Sequence, residues 1–219
     1  MLAEPYNRFS GQSLERVTAL SDGVFAVAMT LLVLDVRVPV FAAGTAASDH
    51  GLADAVLKPG PSFAAYLLSF TMLGTFWLAQ HTLLGIIDGC DRSLTWINLG
   101  FLFVVTLLPF SAALLAHYVH LRLAVGLYWL NLLLLGLALE WASRYGRETF
   151  LAADAKQSRS RMATFRRRIV IAQALYAAAA LICLINTVAS IVALIVVQLY
   201  FIVSPKSLWK KGGARTRSP

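Results

Sequence analysis

The chain has 219 residues, of which 58% are hydrophobic and only 14% charged, whereas a soluble domain is nearer half apolar and a quarter charged. This excess, with a mean hydropathy of +0.70, excludes an ordinary soluble domain and indicates a membrane protein. The net charge of +8 does not indicate nucleic acid, because the basic residues cluster beside apolar segments rather than along an aromatic-rich surface.

Apolar runs of about 17 to 25 residues predict the membrane spans. The last uncharged stretch, 169–203, is too long for one ordinary span, and the polar pair Asn186-Thr187 predicts its division into two. We therefore predict an all-α membrane protein with six transmembrane helices within residues 17–205. The predicted spans are 17–36, 63–87, 94–116, 121–142, 169–185 and 188–203.

The distribution of lysine and arginine supports an even number of spans. With six spans, sixteen of the nineteen basic residues lie on one side of the membrane, most of them in the 143–168 loop and the tail after residue 205. The positive-inside rule then places both ends, residues 1–16 and 206–219, in the cytoplasm of a multi-pass cell-membrane protein. A cleaved signal peptide is the alternative for the first segment, but charged residues crowd both of its ends.

The first predicted helix has a face of small and aliphatic side chains. On a 3.6-residue period, Gly23, Val27, Thr30 and Leu34 share one face, with Leu31 close beside them. If several copies faced one another, these side chains would form apolar rings around an axis, with a ring of threonine between them. The alternative is ordinary packing against neighbouring helices, which composition alone favours.

Charged and polar residues open the same helix. A carboxylate within a span costs a few kcal/mol, so Asp22 needs a partner or a water-filled surface. Arg16, His81 and Trp77 are its candidate partners, the last two being i, i+4 neighbours in "FWLAQH". Alternatively, Asp22 lies at the membrane interface and caps the helix.

These segments resemble the transmembrane protein 175 family, the lysosomal potassium channels and their prokaryotic relatives. Arg16-x-x-x-Leu20-Ser21-Asp22 is similar to the family signature R-x-x-x-F-S-D, and "GVFAVAMTLLVLDV" looks like the family's first helix. "FWLAQH" and "NLGFLFVVTLLPF" resemble further family segments. Leucine at position 20, where the family usually has phenylalanine, puts only a packing contact in doubt.

The resemblance implies a homotetramer in which the first helices surround a central pore. It implies potassium and other monovalent cations as the permeant species, no catalytic residues, and no cofactor or metal site. The implied constriction consists of aliphatic side chains at Val27, Leu31 and Leu34, with Thr30 near the narrow point. The implied network that positions the pore helix comprises Arg16, Ser21, Asp22, Trp77, His81 and Asn98.

An aliphatic constriction offers no oxygen atoms to replace the water that a cation sheds. Passage then depends on the cost of partial dehydration, which is lower for K⁺, Rb⁺ and Cs⁺ than for Na⁺. Because the family's constriction residue is isoleucine, Val27 predicts a slightly wider and less selective pore.

Two other classes of function remain as alternatives. A proton-coupled transporter or proton leak could use Asp22, His81 and Glu140, although we find no internal repeat of the kind transporters show. An enzyme is less favoured, because His117 and His120 have no cysteine or carboxylate nearby. We interpret Cys90 and Cys183 as packing residues.

Charge near the predicted cytoplasmic side suggests two more contacts. Glu140 and Arg144, four residues apart, are expected to pair. The basic 143–168 loop and the tail are expected to hold anionic headgroups of the membrane lipid.

Overall fold

The structure, a computed structural model, describes residues 14–36, 48–52, 60–151 and 156–203. The start of the predicted N-terminal segment and the whole predicted basic tail lie outside the described residues. Within these ranges the chain is helical and contains no β-strand, which confirms the all-α prediction. The helices are α1 (Leu14–Val33), α2 (Gly60–Leu84), α3 (Arg92–Thr106), α4 (Leu108–His117), α5 (Arg122–Thr149), α6 (Lys156–Leu181) and α7 (Thr187–Val203).

The predicted third span is divided into two helices that follow one another directly. Asp91 caps the start of α3, where its Oδ1 accepts a hydrogen bond from the Leu94 backbone N–H at 2.8 Å, as N-cap carboxylates commonly do. The division at Leu107 precedes Pro109, which occupies the first turn of α4. Proline has no backbone N–H and its ring crowds the preceding turn, so the helix cannot continue undisturbed.

The apolar stretch 169–203 is also divided, at the polar pair that the sequence indicated. A 3₁₀ turn, Ile182–Leu184, follows α6. The side-chain oxygen of Asn186 then accepts a hydrogen bond from the Ala189 N–H at 3.1 Å, at the start of α7.

Among the described residues, five helical segments are long and apolar enough to cross a membrane. They are 14–33, 62–84, 92–117, 122–149 and 156–184, while the apolar part of α7, 187–202, is shorter. The count of six crossings therefore stays a prediction.

Two helices extend several residues beyond the membrane spans predicted on them. The spans 121–142 and 169–185 belong to longer helices, since α5 continues to Thr149 and α6 begins at Lys156. Hydropathy marks only the apolar part of a helix, whereas arginine, lysine and glutamine are good helix formers that continue it beyond the apolar part.

Helix α1 lies at one side of the bundle and packs against α2, α3 and α4. Phe25 of α1 contacts Phe101 of α3, with ring centroids 5.9 Å apart. On the other side, α5 packs against α3 and α6. Gln198 attaches α7 to the bundle, since its amide accepts from the Tyr176 hydroxyl and donates to the Thr75 hydroxyl, both at 2.8 Å.

Candidate pore-lining face and its supporting contacts

Helix α1 has one face inside its own bundle and another that no part of the described chain covers. The inner face carries five buried side chains at helical spacing: Val17, Ser21, Phe25, Ala28 and Leu32. The outer face carries Val27, Leu31 and Leu34, whose side chains are 57%, 45% and 73% exposed. The aliphatic face predicted from periodicity is therefore the face that does not pack within the protomer.

Two polar or terminal positions complete this outer face. The hydroxyl of Thr30 donates to the Val27 carbonyl at 2.8 Å, so its proton is used within the helix and only its oxygen is left to accept. Leu34 lies one residue beyond the end of α1, and its N–H bonds to the Leu31 carbonyl at 3.2 Å. The face therefore continues smoothly past the last helical residue.

Gly23 lies on the same face, nearer the N-terminus, and adds no side chain to it. A Cβ atom built at Gly23 would meet no atom within 4 Å, so glycine is not required by packing within the protomer. Leu20, 45% exposed, lies one turn earlier. The structure places it on the outer surface, where its difference from phenylalanine changes no contact inside the bundle.

A buried polar cluster joins the inner face of α1 to α2 and α3. The Gln80 amide nitrogen donates to Ser21 Oγ at 2.8 Å and to Asn98 Oδ1 at 2.6 Å. Asn98 Nδ2 donates to the same Ser21 oxygen at 3.1 Å, and the Ser21 hydroxyl donates to the Val17 carbonyl at 2.8 Å. Ser21, Gln80 and Asn98 are each at most 5% exposed, so the cluster is sealed between three helices.

A second, exposed set of contacts holds Asp22. The Trp77 indole N–H donates to Asp22 Oδ1 at 2.8 Å, and the Trp77 ring stacks on His81 with centroids 5.7 Å apart. Arg16 lies exposed two turns before Gly23 on α1. The structure thus brings Asp22, Trp77 and His81 together at the protomer surface, separate from the buried cluster of Ser21 and Asn98.

A cavity of about 410 Å³ opens beside these residues. Glu15, Thr18 and Asp22 of α1 and His81 of α2 line it. The described residues contain no group of three or more histidine, cysteine or carboxylate side chains arranged to hold a metal ion. Apolar side chains, among them Leu14 and Leu84, form much of the remaining wall of this recess.

Glu140 lies elsewhere, in an ion-pair cluster between α5 and α6. Its Oε1 accepts from Arg144 Nε at 2.9 Å, which confirms the expected i, i+4 pair, and from Arg166 Nη2 at 2.6 Å. Glu140 is absent from the lining of the recess that holds Asp22 and His81. The three residues suggested for a proton relay are therefore divided between two sites.

Both cysteines are free thiols. Cys183 is buried, and Cys90 lies half-buried in the loop before α3, where its Sγ is 3.4 Å from the Thr95 hydroxyl. Burial, together with the Asp91 carboxylate, raises the pKa of the Cys90 thiol despite that hydrogen bond. A raised pKa makes the Cys90 thiol less reactive, because the thiolate is the nucleophilic form.

Sequence reasoning missed Gln80, whose amide nitrogen donates to both Ser21 and Asn98. The signal was present, because a primary amide in an apolar span must find hydrogen-bond partners or pay for its burial. Arg166 was missed as a partner of Glu140, since a contact between α5 and α6 has no fixed sequence spacing.

Comparison with known proteins gives concordant results. A model of the family described as "Endosomal/lysosomal potassium channel TMEM175" matches residues 16–109. Over 105 residues the chain is 42% identical to a potassium channel from Streptomyces collinus, covering 48% of each chain. Over 89 residues it is 37% identical to the human endosomal/lysosomal proton channel TMEM175, covering 39% of this chain and 18% of that protein.

The fold is also similar to a solved structure, described as a lysosomal potassium-selective channel TMEM175 homologue from Chamaesiphon minutus. The TM-score is 0.72 at 27% identity, covering 87% of this chain and 96% of that one. The sequence alignments with the bacterial potassium channels span about half of the length of those relatives.

Proposed function

We propose that this chain belongs to the TMEM175 family, whose model matches residues 16–109, and that it forms a potassium-permeable cation channel. The similar fold of a solved TMEM175 homologue supports this proposal. The proposed channel is a homotetramer in the cell membrane, with the four α1 helices around a central pore and both chain ends in the cytoplasm. The names of the relatives support a channel over an enzyme, and the positive-inside distribution of charge supports the orientation.

One observation carries the proposal. Val27, Leu31 and Leu34 form a continuous aliphatic surface that faces away from the protomer's own core. The opposite face of the same helix holds a buried serine, which is hydrogen-bonded to two other helices. A helix whose rotation is fixed in this way, with small and aliphatic side chains outside, is suited to line an axis shared by several copies.

Selectivity would arise from the side chains of this surface. Rings of valine and leucine give a cation no substitute for lost water, so a K⁺ ion, being more weakly hydrated, crosses at lower cost than Na⁺. The oxygen of Thr30 is the one side-chain acceptor on this face between Val27 and Leu34. We propose Val27, Leu31 and Leu34 as the constriction, with Thr30 between the rings.

The hydrogen bonds of the buried cluster depend on the rotation of α1 about its own axis. Phe25 packs on the inner face of α1, but hydrogen bonds depend more strictly on the rotation of the helix, because they need a specific donor–acceptor geometry. A turn of about 100° would move Val27 off the axis and break the hydrogen bonds of Ser21 with Gln80 and Asn98. We propose that these bonds, and the Asp22–Trp77 contact beside them, position the pore helix without coordinating ions.

Proton permeation is the second candidate. Vertebrate relatives are named endosomal/lysosomal proton channels, and the recess beside α1 contains Glu15, Asp22 and His81. A transporter that relays protons through Glu140 is not supported, because two arginines neutralise that carboxylate.

Reconstitution in liposomes with separate K⁺, Na⁺ and H⁺ gradients tests the proposed function. We expect channel currents with K⁺ favoured over Na⁺, and a higher K⁺/Na⁺ permeability ratio in Val27→Ile because the constriction narrows. Val170→Ile is the matched control, since Val170 of α6 is 58% exposed but lies away from α1. An unchanged ratio in Val27→Ile, or turnover too slow for channel currents, would contradict the proposal.

A further inference from the structure

The first half of α6 carries many basic side chains on one continuous helix. Ile169 begins the apolar part of this helix, and the cations all precede it in the chain. They are Lys156, Arg159, Arg161, Arg166, Arg167 and Arg168.

Two buried side chains fix which way this segment faces. Met162 is fully buried and Phe165 is 8% exposed, so both attach the segment to the bundle. At 100° per residue, Lys156 and Arg167 then point directly away from the bundle, and Arg161 and Arg168 share one flank. The segment therefore presents its charge to the surroundings over most of its free circumference.

The carboxylates on the described parts of α5 and α6 neutralise only some of the nearby cations. Glu140 accepts from Arg144 and Arg166, and Glu148 lies 4.0 Å from Arg147. Arg167 and Arg168, next to the apolar part of α6, are exposed, and no carboxylate of the described chain pairs with either. A positive surface is left over after the internal ion pairs are formed.

An exposed tryptophan supports the placement of this surface at a membrane boundary. Trp141 follows Glu140 directly and is 63% exposed. Glu140 bonds to Arg166, so Trp141 and the Arg166–Arg168 group lie at the same height on neighbouring helices. Exposed tryptophan is typical of the headgroup level of a bilayer.

We propose that Arg167 and Arg168 form a docking surface for the headgroups of anionic phospholipids in the adjacent leaflet. A guanidinium binds phosphate through paired N–H groups, and a basic surface beside a membrane helix attracts anionic lipid. The proposal concerns the outward surface of α6 and does not depend on what passes along α1.

Helix geometry distinguishes an anionic phospholipid from a soluble polyanion as the bound partner. The headgroup layer is only about 5–8 Å thick on each side of the hydrocarbon core. At 1.5 Å per residue, Arg167 and Arg168 lie within about 3 Å of Ile169 along the helix axis, whereas Lys156 and Arg159 lie about 15–20 Å away. Lipid docking must therefore depend on Arg167 and Arg168 far more than on Lys156 and Arg159.

The test uses the full chain in bilayers of equal parts phosphatidylcholine and phosphatidylglycerol. Spin-labelled lipids of each kind report their relative association with the protein. We expect the wild-type chain to prefer phosphatidylglycerol, and Arg167→Gln/Arg168→Gln to reduce that preference by about fivefold per cation removed. The preference should also weaken as salt is added.

Lys156→Gln/Arg159→Gln is the matched control, because it removes the same charge from the same helix. We expect it to change the preference less than about twofold, since these cations lie outside the headgroup layer. Circular dichroism of both double variants verifies that they fold. No preference in the wild type, or equal losses in the two variants, would overturn the proposal, and equal losses would indicate a soluble polyanion or a general effect of net charge.

Discussion

Replacing Gln80 by leucine tests the claim that hydrogen bonds fix the rotation of α1. The substitution places an apolar side chain of similar size within the bundle. It removes both hydrogen bonds donated by the amide nitrogen, to Ser21 at 2.8 Å and to Asn98 at 2.6 Å. Ser21 keeps its bonds to Asn98 and Val17. Asn98 Oδ1, in contrast, loses its donor while it remains buried.

The expected cost follows from this count of bonds. A buried acceptor left without a donor costs about 1–3 kcal/mol, whereas single hydrogen bonds between membrane helices average only about 0.6 kcal/mol. We therefore expect Gln80→Leu to lower the free energy of unfolding by about 1–3 kcal/mol, mostly through the orphaned oxygen. Gln157→Leu is the control, because Gln157 is exposed on α6 and its loss should cost less than about 0.5 kcal/mol.

Chemical unfolding of the detergent-solubilised protein measures these values. The double variant Gln80→Leu/Asn98→Leu has no orphaned amide, so it should lose less than the sum of the two single variants, by about 0.5 kcal/mol or more. Strict additivity, or a Gln80→Leu variant as stable as the wild type, would refute the reasoning that this cluster acts as a unit.

Three further substitutions address separate contacts. Trp77→Phe removes the indole N–H that bonds to Asp22. Because this contact is exposed, we expect the free energy of unfolding to change by less than about 1 kcal/mol, while K⁺ flux falls. Unchanged K⁺ flux would exclude a positioning role for Trp77. Gly136→Ala would place a methyl group against the Gln173 side chain, which donates to the Leu132 carbonyl at 3.2 Å. We expect the same unfolding assay to show a destabilisation of about 1–3 kcal/mol. An unchanged free energy of unfolding would mean that the Gln173 side chain moves aside freely. Glu140→Gln weakens the charge-assisted bonds to its two arginines, one on each of α5 and α6. We expect the free energy of unfolding to fall by about 1–2 kcal/mol. A loss of proton flux in a variant that stays folded would favour the proton-relay alternative.

The sequence predicted the helical architecture and which residues of α1 share a face, because both depend on local periodicity. That the face with Val27, Leu31 and Leu34 is exposed in the protomer is seen only in the structure. The same period predicts only that Ser21 lies on another face, and its partners could not be deduced, since Gln80 and Asn98 are 59 and 77 residues away. Contacts between helices depend on which helices are neighbours, and hydropathy carries no such information.

The ends of the helices do not coincide with the ends of the predicted membrane spans. The basic segment 143–168 was placed between two predicted spans, because charge marks the limit of a membrane span. The structure continues the helix through Arg159 and Arg161, since a helix stabilised by Met162 and Phe165 does not have to end where the apolar sequence ends. This continuation makes the depth of each cation predictable from its position in the chain.

The central claim is that the outer face of α1 lines an axis shared by four copies. Val27→Cys, in a chain whose Cys90 and Cys183 have been replaced, would place one thiol from each copy at that axis, where soft thiolate ligands bind Cd²⁺. We expect Cd²⁺ to block K⁺ current through this variant and a chelator to restore it, with no block in Val170→Cys. Current through Val27→Cys that Cd²⁺ does not alter, or equal block in Val170→Cys, would contradict the account.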